Sequence, residues 1–226
     1  MQTRVLKKEI AGCALCKRLV DYCRSFELAE NRKIGDCDYW AKPVPGFGDV
    51  NAQLLIIGLA PGAHGANRTG RPFTGDGAGD VLYRALFRHG FANRETAIDL
   101  HDGMRLDNVY ITNAVKCVPP QNRPRAEEKR ACLDWLAREM TFLRRVKIVL
   151  AMGRDAFDSY IRLERSAGRV TRLNAYRFQH GGVYQFDDKI LVATYHFSRY
   201  NINTGVLTED MIDVLFQRVC ALLCEV

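Results

Sequence analysis

Apolar positions along the chain fall into short continuous runs, separated by longer stretches of mixed polarity. The runs at 53–58, 108–112 and 147–152 are typical of strands buried on both faces. Residues 183–186 and 190–195 predict a hairpin across Asp187 and Asp188. The second arm of this hairpin is a fourth buried strand, so four core strands are expected.

Apolar residues at helical spacing occupy the segments between these strands. They predict helices over 78–89, 126–144, 155–163 and 208–224, with a short helix within 1–12. Strands that alternate with helices favour an α/β fold, here a three-layer α/β/α sandwich around a central, mostly parallel four-stranded sheet. Residues 23–49 predict loop and edge structure, and 162–180 predict surface. The chain, 1–226, is interpreted as one domain with an N-terminal segment over 1–50.

The stretch from Gly58 to Asp76, GLAPGAHGANRTGRPFTGD, follows the first core strand directly. It is too irregular for a helix and too long for a tight turn. Open α/β sheets bind their ligands at the carboxyl ends of parallel strands. We therefore expect this glycine-rich loop to form one wall of a binding site.

Charge and composition narrow the class of protein. The chain has 226 residues, 33 Lys and Arg against 26 Asp and Glu, and a net charge of +7, which suits a polyanionic partner. It has no apolar run of about 18 residues, and MQTRVLKKEI at the N-terminus lacks the apolar region of a secretory signal. A cytoplasmic protein with no membrane partner is expected, so its eight cysteines need a role other than disulfides.

Four of the cysteines have an informative arrangement. Cys13 and Cys16 form a C-x2-C pair, whereas Cys117 and Cys132 flank a proline-rich turn and reach the start of a predicted helix. Four thiolates from two distant segments can enclose an iron–sulfur cluster or a tetrahedral Zn²⁺. The spacing leaves both sites open, as well as four unrelated cysteines. Cys23 has no comparable partner.

Three segments together resemble the uracil-DNA glycosylase superfamily, most closely its family five, the type B enzymes with an iron–sulfur cluster. They are the glycine-rich loop, TNAVKCVPPQNRP at Thr112 to Pro124, and YHFSRYNINTG at Tyr195 to Gly205. The resemblance covers nearly the whole chain, because the loops follow three of the four strands in the family's order. In that family the four cysteines hold a [4Fe–4S] cluster, which the match places on Cys13, Cys16, Cys117 and Cys132, with zinc as the alternative.

The resemblance also implies an activity, hydrolysis of the N-glycosidic bond of uracil and other deaminated bases in DNA, including hypoxanthine and xanthine. This is the first step of base excision repair. The substrate is double-stranded or single-stranded DNA, and a monomeric, nucleoid-associated enzyme is expected. No lysine is placed to form a Schiff base, so the glycosylase is expected to be monofunctional.

An enzyme of this kind extrudes the nucleotide, stacks and reads the base, and stabilises the separating charges. Phe73 would stack on the base, Asn113 would read its Watson–Crick edge, and His196 would donate a hydrogen bond to a base carbonyl. The alternatives are a core phenylalanine, an asparagine that caps the strand end, and an ordinary polar histidine. Backbone groups of the glycine-rich loop would help to hold the base, with Gly58, Ala60 and Gly62 as the substrate-binding positions.

The position that carries the water-activating group in related families is different in this chain. Leu59 and Ala60 stand where related families carry a carboxylate or carboxamide. Asp76 is then expected to orient water or to offset positive charge on the sugar, and its alternative is a helix cap ahead of Ala78. The absence of a polar group at Leu59 and Ala60 is also compatible with a protein of another class, a non-catalytic metal-containing nucleic-acid-binding module.

The third loop has His196-Phe197-Ser198-Arg199 where the family usually has His-Pro-Ser-Pro. In the superfamily this loop enters the minor groove beside the lesion. Arg199 or Tyr200 would then fill the gap that the extruded nucleotide leaves in the base stack. A solvated Arg-Tyr pair is the alternative. The residues expected to contact DNA are Arg68, Arg71, Lys116, Arg123, Ser198, Arg199 and Tyr200.

Overall fold

The structure is a computed structural model that describes residues 2–34 and 37–225, so expectations for Met1, Gly35, Asp36 and Val226 lie outside the described residues. The helices are α1 (Gln2–Ala11), α2 (Lys17–Ser25), α3 (Ala66–Thr69), α4 (Gly77–Arg88), α5 (Ala126–Phe142), α6 (Arg154–Ser166), α7 (Arg199–Asn203) and α8 (Glu209–Glu225). The strands are β1 (Phe47–Gly48), β2 (Leu54–Gly58), β3 (Val109–Asn113), β4 (Ile148–Met152), β5 (Val183–Gln185) and β6 (Ile190–Thr194).

These strands form one sheet in the order β1-β3-β2-β4-β6-β5. The central strands β3, β2, β4 and β6 run parallel, which confirms the four predicted core strands. The sheet has six strands where four were predicted, because two short strands pair antiparallel at its edges. β5 and β6 form the predicted hairpin across Asp187 and Asp188, and β1 lies within 23–49, where loop and edge structure was predicted.

Successive side chains of the central strands point to opposite faces of the sheet. Leu54 and Ile56 pack in the core that lies against α4 and α8. Leu55 and Ile57 pack in the core that lies against α5 and α6. Helices thus cover both faces of the sheet, and the three-layer prediction is confirmed.

A third apolar cluster joins the N-terminal helices to α5. It includes Leu19 of α2, Cys117 and Cys132, with Trp135 at its edge. None of α2, α3 and α7 was predicted, since α3 and α7 have only four and five residues and α2 has only three buried residues. Within residues 2–34 and 37–225, no helix combines the length and apolar character needed to cross a bilayer.

Candidate functional site

A cavity of about 430 Å³ opens at the carboxyl ends of the parallel strands. This is the edge where open α/β sheets bind ligands. The segments that follow β2, β3 and β6 converge on the cavity. Its lining residues are Leu59, Ala60, Pro61, Gly62, Ala66, Phe73, Asp76, Gly77, Ala78, Asn113, Asn122, His196, Ser198 and Arg199.

Asn113 is the last residue of β3 and is only 1% exposed. Its side-chain Oδ1 is buried and accepts no hydrogen bond from the described residues. A buried polar atom without a partner is costly. The amide of Asn113 therefore presents an unsatisfied acceptor at the cavity wall, where a polar ligand group would satisfy it.

Gly58 lies behind Asn113 and Phe73 and does not line the cavity. A Cβ atom at Gly58 would lie 2.5 Å from both Oδ1 of Asn113 and Cζ of Phe73. The backbone contact of Gly58 with the substrate stays a prediction. Its lack of a side chain allows Asn113 and Phe73 to pack closely against it.

The Phe73 ring lies on the cavity wall near the imidazole of His196, with the ring centroids 6.4 Å apart and the planes inclined by 33°. The backbone of Phe73 has φ of 52°, a left-handed conformation that is uncommon for a bulky residue. Phe73 also packs in the core beside α4. It is thus both a core side chain and part of the cavity wall.

Asp76 is the N-cap of α4, and its Oδ1 accepts the backbone N–H of Gly79 at 2.9 Å. Its Oδ2 faces the glycine-rich loop, where a Cβ atom at Gly62 would lie 3.0 Å away. Among the described residues, only Oδ1 of this carboxylate accepts a hydrogen bond. The capping role and a role at the cavity are compatible, because each uses a different oxygen.

His196 follows β6 and faces the cavity. Burial lowers the pKa of His196, and the negative charge of Asp76 opposes part of this effect. The imidazole is therefore neutral near pH 7. A neutral imidazole with its N–H directed into the cavity can donate a hydrogen bond without bringing a positive charge.

Leu59, Ala60 and Pro61 form an apolar part of the cavity wall. No acidic or amide side chain occupies this part of the wall in the described residues. Among the described residues, Asp76 is the one whose carboxylate lines the cavity. The apolar positions noticed in the sequence thus face the same space as Asn113 and His196.

Asn122 also lines the cavity, although it was not singled out in the sequence. Gln121 and Asn122 both have left-handed backbones, with φ of 54° and 57°. Asn adopts this conformation more readily than most residues. The feature of the sequence that could have pointed to Asn122 was therefore its position in a proline-rich turn. The turn brings Asn122 back towards the end of β3.

Two residues expected to contact DNA are buried in ion pairs, and those expectations are wrong. Arg71 is 1% exposed and pairs with Asp102. Lys116 is also 1% exposed, and its Nζ lies 2.6 Å from Oε2 of Glu139. Neither side chain can reach a phosphate unless its ion pair breaks.

The other residues expected to contact DNA lie closer to the surface. The Arg68 side chain is half-buried, and its Nε donates to the backbone carbonyl of His64 at 2.8 Å. Arg123 and Arg199 are exposed, and Tyr200 is 73% exposed. The Ser198 hydroxyl accepts the N–H of Asn201 at 3.2 Å and caps α7, so α7 stiffens the loop without the usual prolines.

Cys13, Cys16, Cys117 and Cys132 all belong to the third apolar cluster or pack against it. The indole N–H of Trp135 donates to Sγ of Cys13 at 3.3 Å. Burial raises the pKa of Cys132 to about 11, so this thiol stays protonated unless a cation neutralises the thiolate. Over residues 2–34 and 37–225, no three His, Cys, Asp or Glu side chains surround a single ion position.

Comparison with known proteins gives a family match over most of the chain. The family model described as "Uracil DNA glycosylase superfamily" matches residues 45–220. A relative from Thermus thermophilus, named type-5 uracil-DNA glycosylase, is 42% identical over 219 residues, which cover 96% of this chain and 97% of that protein. A type-5 uracil-DNA glycosylase from Mycobacterium leprae is 41% identical over 94% of this chain and 92% of its own length. A type-4 uracil-DNA glycosylase from Pyrobaculum aerophilum is 38% identical over 51% of this chain and 55% of its own length.

Proposed function

Because the chain belongs to the uracil DNA glycosylase superfamily, we propose that it hydrolyses the N-glycosidic bond between uracil and deoxyribose in DNA. The observation that carries this proposal is the convergence of Phe73, Asp76, Asn113 and His196 on one cavity of about 430 Å³. These residues come from the glycine-rich loop, the end of β3 and the loop after β6. Together they provide an aromatic ring, an amide, an imidazole and a carboxylate around one space.

The base would enter the cavity after the nucleotide leaves the duplex. The ring of Phe73 would stack on it, while the side-chain amide of Asn113 would pair with its polar edge. Oδ1 of Asn113 has no partner in the described residues, so an N–H of the base would satisfy it. This gain would offset part of the cost of unstacking the nucleotide.

As the glycosidic bond breaks, its electron pair goes to the base and positive charge develops on the sugar. A neutral His196 would donate a hydrogen bond to the base oxygen on which negative charge accumulates. The negative charge of Asp76 would stabilise the sugar cation, and its Oδ2 would orient the water that adds to C1′. The water proton is released to Asp76 or to solvent, the base anion takes up a proton from solvent, and the products are an abasic site and the free base.

A broader set of deaminated bases is part of the proposal. The apolar wall formed by Leu59, Ala60 and Pro61 makes no specific hydrogen bond to a base edge. Hypoxanthine, and xanthine as a further base, would therefore compete with uracil for the cavity. No lysine lines this cavity among the described residues, so the product would be an uncleaved abasic strand.

DNA would lie across the cavity mouth, in double-stranded or single-stranded form, with the protein acting as a monomer. Arg199 and Tyr200 are exposed beside His196, and Arg123 is exposed beyond the β3 loop. Their positions suit contacts with phosphates and with the gap left by the extruded base. Arg68 is half-buried at the glycine-rich loop and would contact DNA only at the cavity rim.

A [4Fe–4S] cluster held by Cys13, Cys16, Cys117 and Cys132 is a further proposal. The donor set fits, because four thiols from two distant segments share one apolar cluster and Cys13 accepts an indole N–H. In a cluster each thiolate binds a different iron, whereas in a zinc site four thiolates approach one ion at about 2.3 Å. When bound, the group would supply a structural cross-link, since these residues join α1, α2, the β3 loop and α5.

The test is a glycosylase assay on a duplex with one uracil, followed by alkali, which breaks abasic sites. We expect breaks at uracil with the wild type, and their loss with Asn113→Ala and with His196→Ala. Parallel substrates with hypoxanthine or xanthine, in single and double strands, define the range of bases. If no deaminated base is released although the DNA is bound, the protein is a non-catalytic nucleic-acid-binding module.

A further inference from the structure

The backbone conformation of Phe73 requires an explanation. At φ of 52° this residue adopts a left-handed conformation that is unfavourable for a residue with a Cβ. Such a conformation persists only where the surroundings enforce it. The groups that hold the two peptide units flanking Phe73 therefore decide where its ring lies.

Arg71 provides the first restraint. Its guanidinium makes a bidentate ion pair with Asp102, with Nη1 3.0 Å from Oδ1. Its Nε donates to Oγ1 of Thr74 at 2.8 Å. Arg71 thus links the residue after Phe73 to a loop about thirty positions further along the chain.

The side chain of Asp102 is itself fixed by hydrogen bonds from the backbone. Its carboxylate accepts the backbone N–H groups of Ile98 at 2.7 Å and of Met104 at 2.8 Å. Burial alone would raise the pKa of Asp102, but the hydrogen bonds from Arg71 and from these backbone groups hold it well below its usual range. The carboxylate is therefore charged throughout the neutral and mildly acidic range.

The peptide before Phe73 is restrained from the side of α4. The Tyr83 hydroxyl donates to the carbonyl oxygen of Pro72 at 3.1 Å, and the Thr74 hydroxyl lies 3.2 Å from the same oxygen. The carbonyl of Phe73 itself packs against α4, where a Cβ atom at Gly79 would lie 1.8 Å from it. Both peptide units that define the backbone of Phe73 are thus held by buried partners.

We propose that Arg71, Asp102, Thr74 and Tyr83 are positioning residues that set the Phe73 ring for stacking on the extruded base. This inference rests on the proposed glycosylase function. A buried ion pair often adds little net stability compared with an apolar substitute. Here it restrains an unfavourable backbone conformation at the cavity wall.

The test uses mild variants that keep the fold. Tyr83→Phe removes the hydroxyl that holds Pro72, and Thr74→Val removes the acceptor for Arg71 with little change in volume. Thr74→Ser keeps that hydroxyl. Tyr160→Phe is the matched control, because Tyr160 is equally buried but packs in the core on the opposite face of the sheet.

Single-turnover rates on uracil DNA are measured at saturating protein, in the wild-type background and in Phe73→Ala. We expect Tyr83→Phe and Thr74→Val to lower the rate about 10-fold or more, since a displacement near 1 Å can cost about 100-fold. Thr74→Ser and Tyr160→Phe should stay within about twofold, because Thr74→Ser keeps the hydroxyl and Tyr160 lies on the opposite face of the sheet. In the Phe73→Ala background, Tyr83→Phe and Thr74→Val should have no further effect, because the ring they position is absent.

Affinity for DNA that already contains an abasic site gives a second readout that does not depend on residual activity. This DNA has no base to stack, so its affinity should be unchanged in Tyr83→Phe and Thr74→Val. Equal losses of rate in both backgrounds, or a matching loss of abasic-site affinity, would overturn the positioning role. Absence of uracil release by the wild type would instead reject the glycosylase function, and an unimpaired Phe73→Ala would reject stacking by Phe73.

Discussion

Nζ of Lys116 lies 2.6 Å from Oε2 of Glu139, and both side chains are buried. The same ammonium donates to the hydroxyl of Thr112 at 2.7 Å and to the backbone carbonyl of Asn113 at 2.8 Å. Oε1 of Glu139 accepts the N–H of Gly46 at 3.1 Å. One buried network thus joins α5, the β1 edge and the end of β3, where Asn113 lines the cavity.

We expect Lys116→Met to lower the free energy of unfolding by about 3–5 kcal/mol, because it leaves the Glu139 carboxylate buried without its cation. Urea unfolding measures this loss. Arg123→Met is the control, since its exposed side chain contributes little to the fold. Arg123→Met should leave stability unchanged and reduce the salt dependence of DNA binding by about one phosphate contact. Unchanged stability of Lys116→Met would contradict the importance of the buried pair.

Asp76→Asn and Asp76→Ala separate the two roles of Asp76. The Asn variant keeps an oxygen that can cap α4, whereas the Ala variant loses it and should lose about 1 kcal/mol of stability. Both variants remove the negative charge, so both should slow uracil release about 100-fold, the typical scale for one acid–base or electrostatic group. Single-turnover rates and thermal unfolding are measured on the same preparations. An Asn variant with wild-type rate would leave Asp76 as a cap alone.

The pKa of His196 is lowered by burial, and this sets an expected pH dependence. If the neutral imidazole is the donor, the rate of uracil release should hold through neutral pH and fall only well below about pH 6.5, the unperturbed histidine value. The stability of the fold is expected to change with pH in the same direction. The unfolded chain takes up a proton near pH 6.5 before folded His196 does, so this contribution to stability is present above that pH and declines as the pH falls.

A matched His196→Asn variant tests this assignment. Its rate should be lower at every pH and should lose the acidic limb that protonation of His196 produces. The measurement is a series of single-turnover rates between about pH 5 and pH 8, bracketing the ordinary histidine range. An identical acidic limb in the variant would assign that limb to a different group.

Cys132→Ser tests the proposed cluster. In protein purified without oxygen, the wild type should show iron, acid-labile sulfide and absorbance near roughly 400 nm, as expected of thiolate-bound clusters. The variant should lose this absorbance and unfold at lower urea, because metal binding contributes to folding free energy. Cys220→Ser, on α8 and remote from the third cluster, is the control and should keep both properties. Stoichiometric zinc without iron in the wild type would support the zinc alternative.

Much of the fold followed from local patterns. The core strands lie in the middle of the sheet with both faces covered, so each left a continuous apolar run that could be recognised. The edge strand β5 was predicted as the first arm of the hairpin with β6, whereas β1 has only two residues, both half-buried, and left no such run. The helix α2 was missed because its buried face is limited to Leu19, Val20 and Cys23.

The candidate site was likewise predicted only in part. Asn113, Phe73, Asp76 and His196 were predicted from the three segments that resemble the glycosylase superfamily, and all four line one cavity. Asn122 was not predicted, because its place on the wall depends on the two left-handed residues of the proline-rich turn. The close packing of Asn113 and Phe73 against Gly58 was not predicted, since contacts between positions so far apart in the chain cannot be recognised in one dimension.

The sequence by itself determined the order of the elements, the loops that meet at the carboxyl ends of the strands and the residue types that those loops carry. Only the tertiary structure decided which cations are available to a ligand. Arg71 and Lys116 resemble any other basic residue of a loop, yet their carboxylate partners lie 31 and 23 positions away. An arginine or lysine has the same side chain whether it faces a phosphate or a buried carboxylate, and only packing brings such distant partners together.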